Sequence, residues 1–303
     1  MRYIIALLFL VTLGSVNTFA WSARSSKLGS LSLQADSDST SKKQSLSVGV
    51  SYGSDASFFG RTNQVKYPFY TADAIYNTKF GMFVYGSAWK VIKSIPTVDE
   101  FDLGLGYSYK LSKNFQGSIS YTRFLFNNDT QILKSASSND INFKNTFDWK
   151  ILKSGVTMDY LFGKSDDFFV TISQSHYFES SFGVFDNKDY LTFTPAFNVI
   201  LGTQNFVQRF SRDHNYFGNM NAIGPGGPGG YVPPPIPPNE DDYRNANRNF
   251  AVLNYNFKIP VAYNRPHYTL EASYKYSIPI NVQGYLTTKN QSFFNLTFYY
   301  VFY

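Results

Sequence analysis

The segment at positions 101–111 reads FDLGLGYSYKL, and every second residue in it is Phe, Leu or Tyr. The residues between them are Asp102, Gly104, Gly106, Ser108 and Lys110. Successive side chains of a β-strand point to opposite faces of a sheet, so this alternation predicts a strand with one apolar and one polar face. The segment is longer than the five or six residues typical of strands in soluble sheets. It matches the roughly 9–11 residues that a tilted strand needs to cross a bilayer.

The same period of two recurs along the chain, whereas no comparable stretch shows the 3.6-residue period of an amphipathic helix. We predict about twelve strands, within a range of 10 to 14, and most of them have 9 to 13 residues. They lie near 45–53, 69–78, 81–91, 101–111, 114–126, 141–152, 154–163, 167–178, 190–202, 248–259, 267–278 and 293–303. The sequence therefore predicts an all-β protein, and the strand lengths favour a transmembrane antiparallel up-and-down β-barrel.

Composition narrows the class of protein further. The 303 residues include 30 Phe, 24 Tyr and 3 Trp, yet the mean hydropathy is −0.24 and only 16% of residues are charged. A negative mean hydropathy excludes a bundle of apolar transmembrane helices, and this wealth of aromatic residues excludes a disordered chain. The sequence contains no cysteine, which excludes disulfides, thiolate metal sites and an acylated N-terminal cysteine.

The N-terminus has the layout of a secretory signal peptide. Arg2 supplies a positive charge, residues 4–13 are nearly all apolar, and a small residue, Ala20, ends the segment. We predict a signal peptide at 1–20, a flexible periplasmic leader at 21–44 and a barrel at 45–303. After cleavage the formal charge is only +5, since Arg2 is lost from a total of +6. This small excess gives no reason to expect nucleic acid as a partner.

The connections between the predicted strands alternate in length. Five are long, at 54–68, 92–100, 127–140, 203–247 and 279–292, and four are tight, at 77–81, 111–114, 152–154 and 163–166. If the first strand starts in the periplasm, the long connections lie outside the cell and the tight ones mostly inside, as in outer-membrane barrels. The tight turn at 163–166 and the intermediate connection at 179–189 interrupt this alternation.

The last eleven residues, 293–303, read FFNLTFYYVFY. This alternating segment with an aromatic end resembles the C-terminal signal of bacterial outer-membrane β-barrels, the porin-like superfamily. The resemblance implies a location in the cell outer membrane, contact with its lipid, and recognition by the barrel-assembly machinery through Phe298, Tyr300, Phe302 and Tyr303. The uniformly apolar stripe consists of the even-numbered residues and excludes Tyr303. Either the even residues face lipid, or Tyr303 is the terminal aromatic of the family and Phe302 points inward.

The polar faces of the strands predict the lining of a lumen. If the apolar faces point outward, the lumen-facing charged residues are Asp73, Lys90, Asp102, Lys110, Lys144, Asp148, Lys150, Asp159, Glu271 and Lys275. Equal numbers of each sign predict little ion selectivity. About twelve strands lie between the eight of a filled barrel and the sixteen or more of an open pore. The charges could therefore line a path for a small polar or zwitterionic solute, or simply pair and hold the wall.

The connection at 203–247 has an unusual composition. It contains a Gly-rich stretch at 224–230 and a Pro-rich stretch at 233–238, which predict a flexible hinge beside a stiff polyproline II arm. No Lys-Ser/Thr pair follows the glycines, so they do not form a phosphate loop. Three interpretations stay open: a constriction folded into the pore, an external binding epitope, or a disordered surface loop.

Catalytic chemistry finds little support in the residue types. His176, His214 and His267 are the three histidines, and none has the spacing of a known barrel enzyme. We predict no catalytic residue, metal or cofactor. The leading hypothesis is a porin-like passive channel for small polar solutes. The second is a structural or accessory barrel whose outer loops bind a partner protein or surface polymer, and the third is a barrel hydrolase.

Overall fold

The computed structural model describes residues 44–127, 130, 132–207, 250–284 and 286–303. The predicted signal peptide, the leader up to residue 43, and the Gly- and Pro-rich stretches of the long connection lie outside the described residues. Within the described part of the chain, no helix is long and apolar enough to cross a membrane.

The described residues form a closed antiparallel barrel of twelve long strands, which confirms the predicted fold class. The segments are β1 Ser45–Gly53, β2 Phe69–Asn77, β3 Met82–Val91, β4 Glu100–Lys110, β5 Phe115–Phe126, β6 Asn139–Asp148, β7 Lys153–Phe162, β8 Asp167–Ser175, β9 Phe178–Glu179, β10 Tyr190–Phe193, β11 Ala196–Gly202, β12 Ala251–Asn264, β13 Tyr268–Pro279 and β14 Gln291–Phe302. The short β9 continues β8 after a break, and β10 continues into β11, so these four segments form two wall strands. One short 3-10 helix, Leu133–Ala136, lies between β5 and β6.

The barrel closes by pairing its first strand with its last. β1 pairs with β14 in register from Leu46↔Phe302 to Gly53↔Asn295, and β11 joins β8 to β12 on the opposite side. The even-numbered residues of β14 face outward, since Phe298 and Phe302 are exposed whereas Phe293 is buried. Tyr303 is exposed and follows the end of the strand. Among the described residues, closure gives each long wall strand a partner on both sides, whereas the short β9 pairs with β10 alone.

Antiparallel topology sorts the connections between two ends. The described parts of the connections 54–68, 92–99, 127–138, 203–250 and 280–290 lie at one end, which we call the long-loop end, together with the tight turn at 163–166. Both termini of the barrel and the connections 78–81, 111–114, 149–152, 180–189 and 265–267 lie at the other, the short-turn end. The two connections that interrupt the alternation in length therefore still lie at the ends that antiparallel order requires: the tight turn at 163–166 at the long-loop end and the connection 180–189 at the short-turn end.

One hairpin departs from the predicted strand boundaries. The predicted strand at 141–152 ends at Asp148 in the structure, and a turn follows. Asp148 Oδ1 accepts a hydrogen bond from the Lys150 N–H at 2.7 Å, and Lys150 has a φ of 72°. The apolar alternation continues through Trp149 and Ile151, both of which are exposed in the turn. Alternation therefore extends the predicted strand into the turn, which the side chain of Asp148 caps.

On the inner face, glycines and aromatic rings occupy matched cross-strand positions. The pairs are Gly49–Tyr299, Gly53–Phe69, Gly104–Tyr85, Gly106–Phe83 and Gly202–Phe169. A Cβ atom on any of these glycines would lie 2.2–2.3 Å from an atom of its partner's ring. Each glycine therefore provides the space over which a large ring lies flat in a narrow barrel.

Gly49→Val tests this packing at the seam between β1 and β14. The valine would collide with Tyr299, and overpacking of this kind costs about 1–3 kcal/mol. We expect less of the fast-migrating folded species when unheated and boiled samples are compared on a gel, and a lower Tm. Gly86→Ala is the matched control, because the nearest atom to its Cβ, Leu103 Cδ2, lies at an ordinary 3.5 Å. Equal behaviour of the two variants would contradict the assignment.

Candidate functional site: the loop plug and the cavity beneath it

At the long-loop end of the barrel, described parts of four connections pack together against the wall. Phe58, Leu133, Phe206 and Leu286 are buried and come from the segments 54–68, 132–138, 203–207 and 280–286. They share one apolar cluster with Ala136 and Val207 from the connections and with Phe124, Leu161, Phe169 and Leu253 from the wall. Because these side chains are buried against each other, the four connections form one packed unit, which we call the loop plug.

Arg61 joins the connections of the loop plug to one another. Its side chain is 1% exposed, and its guanidinium donates hydrogen bonds to Gln204 Oε1 at 2.8 Å, Leu253 O at 2.7 Å, Ile280 O at 2.7 Å and Asn281 O at 3.1 Å. Burial lowers the pKa of Arg61 to about 10, so the group stays charged at neutral pH. The planar guanidinium group thus links three connections and the start of β12 through its hydrogen bonds.

Lys134 attaches the loop plug to the inner wall. Its Nζ lies 2.5 Å from Glu100 Oε1 and 2.8 Å from Asp102 Oδ2, and 4.1 Å from the centroid of the Phe124 ring. Burial lowers the pKa of Lys134, but the two carboxylates outweigh this and raise it above its ordinary value. We call this ion-pair cluster the latch. Both carboxylates belong to β4.

Six of the ten predicted lumen residues lie on the inner face of the wall. They are Asp73, Asp102, Lys144, Asp159, Glu271 and Lys275, each of which alternates with outward apolar residues. Lys110 shares the face of Asp102 but is exposed where β4 ends, at the rim of the short-turn end. Of these residues, Asp102 belongs to the latch and Lys275 lines a cavity beneath the loop plug. Glu271 forms an ion pair with Lys258 at 3.5 Å.

Lys90, Asp148 and Lys150 lie elsewhere, which corrects the expectation for them. Lys90 shares the outer face of β3 with Met82 and Val84. Its Nζ donates to Ser94 Oγ at 2.7 Å and so ties down the connection 92–99. Asp148 and Lys150 form the turn at the short-turn end. Before Lys90, small Gly, Ser and Ala residues occupy both faces of the strand, so the alternation does not show which face Lys90 is on. Asp148 and Lys150 lie in a turn through which the apolar alternation continues, so the sequence predicts strand there.

Several charged residues of the interior had no clear signal in the sequence. Glu100 lies one position before the predicted start of its strand, and Lys258 lies near the predicted end of another. Asp55, Arg61 and Lys134 lie in connections, where no period identifies the direction of a side chain. A search for isolated apolar residues beside charges within the loops, such as Leu133 beside Lys134, could have indicated segments that fold inward.

A cavity of about 210 Å³ lies between the loop plug and the inner wall. We call it the inner cavity. Its polar lining includes Asp55, Glu100, Lys134, Lys275 and Asn295, and its apolar lining includes Phe58, Phe69, Trp89, Leu133 and Phe293. Phe69 and Trp89 stack with centroids 4.6 Å apart, and Lys275 Nζ lies 4.0 Å from the Phe293 ring centroid. The cavity therefore combines aromatic walls with charges of both signs.

The two histidines that the structure describes are not assembled into a recognisable site. His176 Nδ1 contacts the carbonyl oxygen of Ile151, and His267 lies in the turn 265–267 beside Val301. His214 lies outside the described residues. Among the residues that the structure describes, no group of three or more His, Cys, Asp or Glu side chains could hold a metal ion.

Comparison with known proteins extends the description of the fold. No protein-family model matches the sequence, and no curated protein matches it. Among solved structures, the chain is similar to the KdgM porin (6% identity, TM-score 0.48, 85% of this chain and 99% of that one). It is similar to the NanC porin (12%, 0.45, 84% and 98%) and to the COG4313 outer membrane channel from Pseudomonas putida F1 (9%, 0.42, 86% and 96%). Two of these structures are described as porins and the third as an outer membrane channel.

Proposed function

We propose that this protein is an outer-membrane channel for small polar solutes in which the loop plug acts as a gate. The observation that carries the proposal is that described parts of four connections pack together at the long-loop end, and that the latch ties one of them to β4. A segment held by side-chain contacts can move while the strands stay paired. A porin-like barrel closed in this way conducts only when the plug shifts, which refines the simple passive channel.

The outer face supports a location in a lipid bilayer. The outer face carries a belt of apolar side chains that are about half exposed, among them Val84, Leu103, Leu105 and Leu296. In lipid, every backbone donor and acceptor needs a partner within the protein, and a closed barrel meets that need. Apolar side chains in this number on the surface would favour aggregation in water.

The inner face below the plug supports a path for polar solutes. Lys144 and Asp159 lie there, and Lys258 pairs with Glu271 while 37% of the lysine side chain stays exposed. A lining with charges of both signs opposes neither cations nor anions as a class. We therefore expect little selectivity between cations and anions, and neutral or zwitterionic solutes are compatible with such a lining.

The channel proposal predicts that Lys134→Met opens the barrel. The substitution leaves two buried carboxylates without their cation, and breaking a buried ion pair in this way costs about 3–5 kcal/mol. We expect the segment 132–138 to leave the wall, and single-channel recordings in planar bilayers to show a higher open probability than the wild type. The triple variant Lys134→Met, Glu100→Gln, Asp102→Asn removes the unpaired charge and should restore the closed state.

Lys90→Met is the matched control for this experiment. Lys90 also tethers a connection at the long-loop end, but from the outer face, so its loss should leave conductance unchanged. If neither wild type nor Lys134→Met conducts, before and after deletion of residues 218–240, the channel proposal is wrong. The accessory barrel, whose outer loops bind a partner protein or surface polymer, would then be the better hypothesis.

A second prediction tests whether the loop plug is a unit separate from the wall. Arg61→Met leaves buried carbonyl oxygens without their donor, at about 1–3 kcal/mol for each unsatisfied group. We expect faster proteolysis within 54–68 and 280–290, whereas the gel shift of the intact barrel persists. Arg123→Met is the control, because Arg123 donates to Asn139 Oδ1 at 2.9 Å outside the plug. Loss of the gel shift in Arg61→Met would show that plug and wall fold as one.

A further inference from the structure

Four charged side chains line the inner cavity, and only two of them are paired. Glu100 and Lys134 belong to the latch and lie 2.5 Å apart. Asp55 is 4% exposed, and its Oδ1 accepts a hydrogen bond from the Tyr67 N–H at 2.8 Å. Its Oδ2 is buried and accepts no hydrogen bond from the described residues. A buried carboxylate oxygen without a donor is costly, so Asp55 presents an unmet requirement for a donor in the cavity.

Lys275, in the same cavity, is a cation that requires an anionic partner. It lies on the inner face of β13, and no described residue accepts a hydrogen bond from its Nζ or forms an ion pair with it. The Phe293 ring beneath it supplies only a cation–π contact. Its cross-strand neighbour is Lys258, a like charge, and Glu271 already pairs with Lys258 at 3.5 Å. The ammonium of Lys275 therefore requires an anion that the described wall does not provide.

Asp55 and Lys275 attract each other but form no ion pair within 4.0 Å. Burial raises the pKa of Asp55, and the Tyr67 and Ala56 backbone N–H groups and the charges of Lys66 and Lys275 act in the opposite direction. Both groups line the inner cavity, and the stacked Phe69 and Trp89 rings form part of its wall. A ligand with one ammonium, one carboxylate and a small apolar part matches this arrangement.

We propose that the inner cavity binds a small zwitterion of the α-amino acid class. Its ammonium donates to Asp55 Oδ2, its carboxylate accepts from Lys275 Nζ, and its side chain lies against Phe69 and Trp89. At about 210 Å³ the cavity is smaller than the roughly 300–1,000 Å³ of pockets for drug-sized ligands, which excludes oligomers. The site rests on the proposed function, since it would be the point at which the channel selects its solute.

The test is calorimetric titration of the purified, detergent-solubilised protein with three probes of similar size. L-alanine carries both charges, propionate lacks the ammonium, and ethylamine lacks the carboxylate. We expect the wild type to bind L-alanine at least about tenfold more tightly than either of the others, the factor that about 1.4 kcal/mol supplies. Equal binding of L-alanine and propionate, or no binding of L-alanine, would overturn the proposal.

Variants assign the two charges separately. Asp55→Asn should lower the affinity for L-alanine to that for propionate, and Lys275→Met should lower it to that for ethylamine. Lys275→Arg keeps a cation and should retain binding, which keeps the test decisive if Lys275→Met does not give the gel shift of a folded barrel. Asp73→Asn on the inner face and Lys110→Met at the rim of the short-turn end are controls outside the cavity lining, and both should bind L-alanine as the wild type does.

The binding test and the conductance test can fail independently of each other. L-alanine binding that depends on Asp55 and Lys275, in a protein that conducts in none of its variants, supports the zwitterion site and overturns the channel. Conductance that Lys134→Met increases, in a protein that does not bind L-alanine, overturns the zwitterion site and leaves the channel standing.

Discussion

The pairing of β1 with β14 is the contact on which the rest of the structure depends. It converts a curled sheet into a closed wall and satisfies the two backbone edges that would otherwise be open. Closure also fixes the phase of every strand, because a shift by one residue at the seam would exchange the inner and outer faces. The apolar outer belt and the charged groups of the inner wall depend on this register together with those of the other strand pairs.

Closure also limits the space inside, and the sequence meets that limit with glycine. Tyr85 lies over Gly104 and Tyr299 lies over Gly49, each on a neighbouring strand. The rings turn along the wall and do not point into the lumen. Space near the axis is thus left for the segments that form the loop plug. The high aromatic content therefore supplies both the outer belt and part of the inner lining.

The wall could be predicted from the sequence, whereas the loop plug could not. Period-two alternation is a local signal, so it gave about twelve strands and the direction of residues such as Asp102 and Asp159. It failed where the local signal is ambiguous, as at Lys90 among small residues, or where it runs on through a turn, as at Lys150. Phe58 and Leu133 are single apolar residues in polar connections, and only tertiary packing decides that they are buried.

The buried charges concentrate where the loop plug meets the wall. Pairing of Lys134 with Glu100 and Asp102 spans this boundary, and Asp55 faces Lys275 across it. Charges between two apolar layers would weaken the barrel if nothing moved, because apolar residues of equal volume usually pack at least as well. At a boundary that opens, the same charges become hydrated when they separate, which offsets the loss of the ion pairs. In the proposed channel, a wall held by backbone pairing and a plug held by desolvated charges would respond to different conditions, and the mouth would change state while the barrel stays closed.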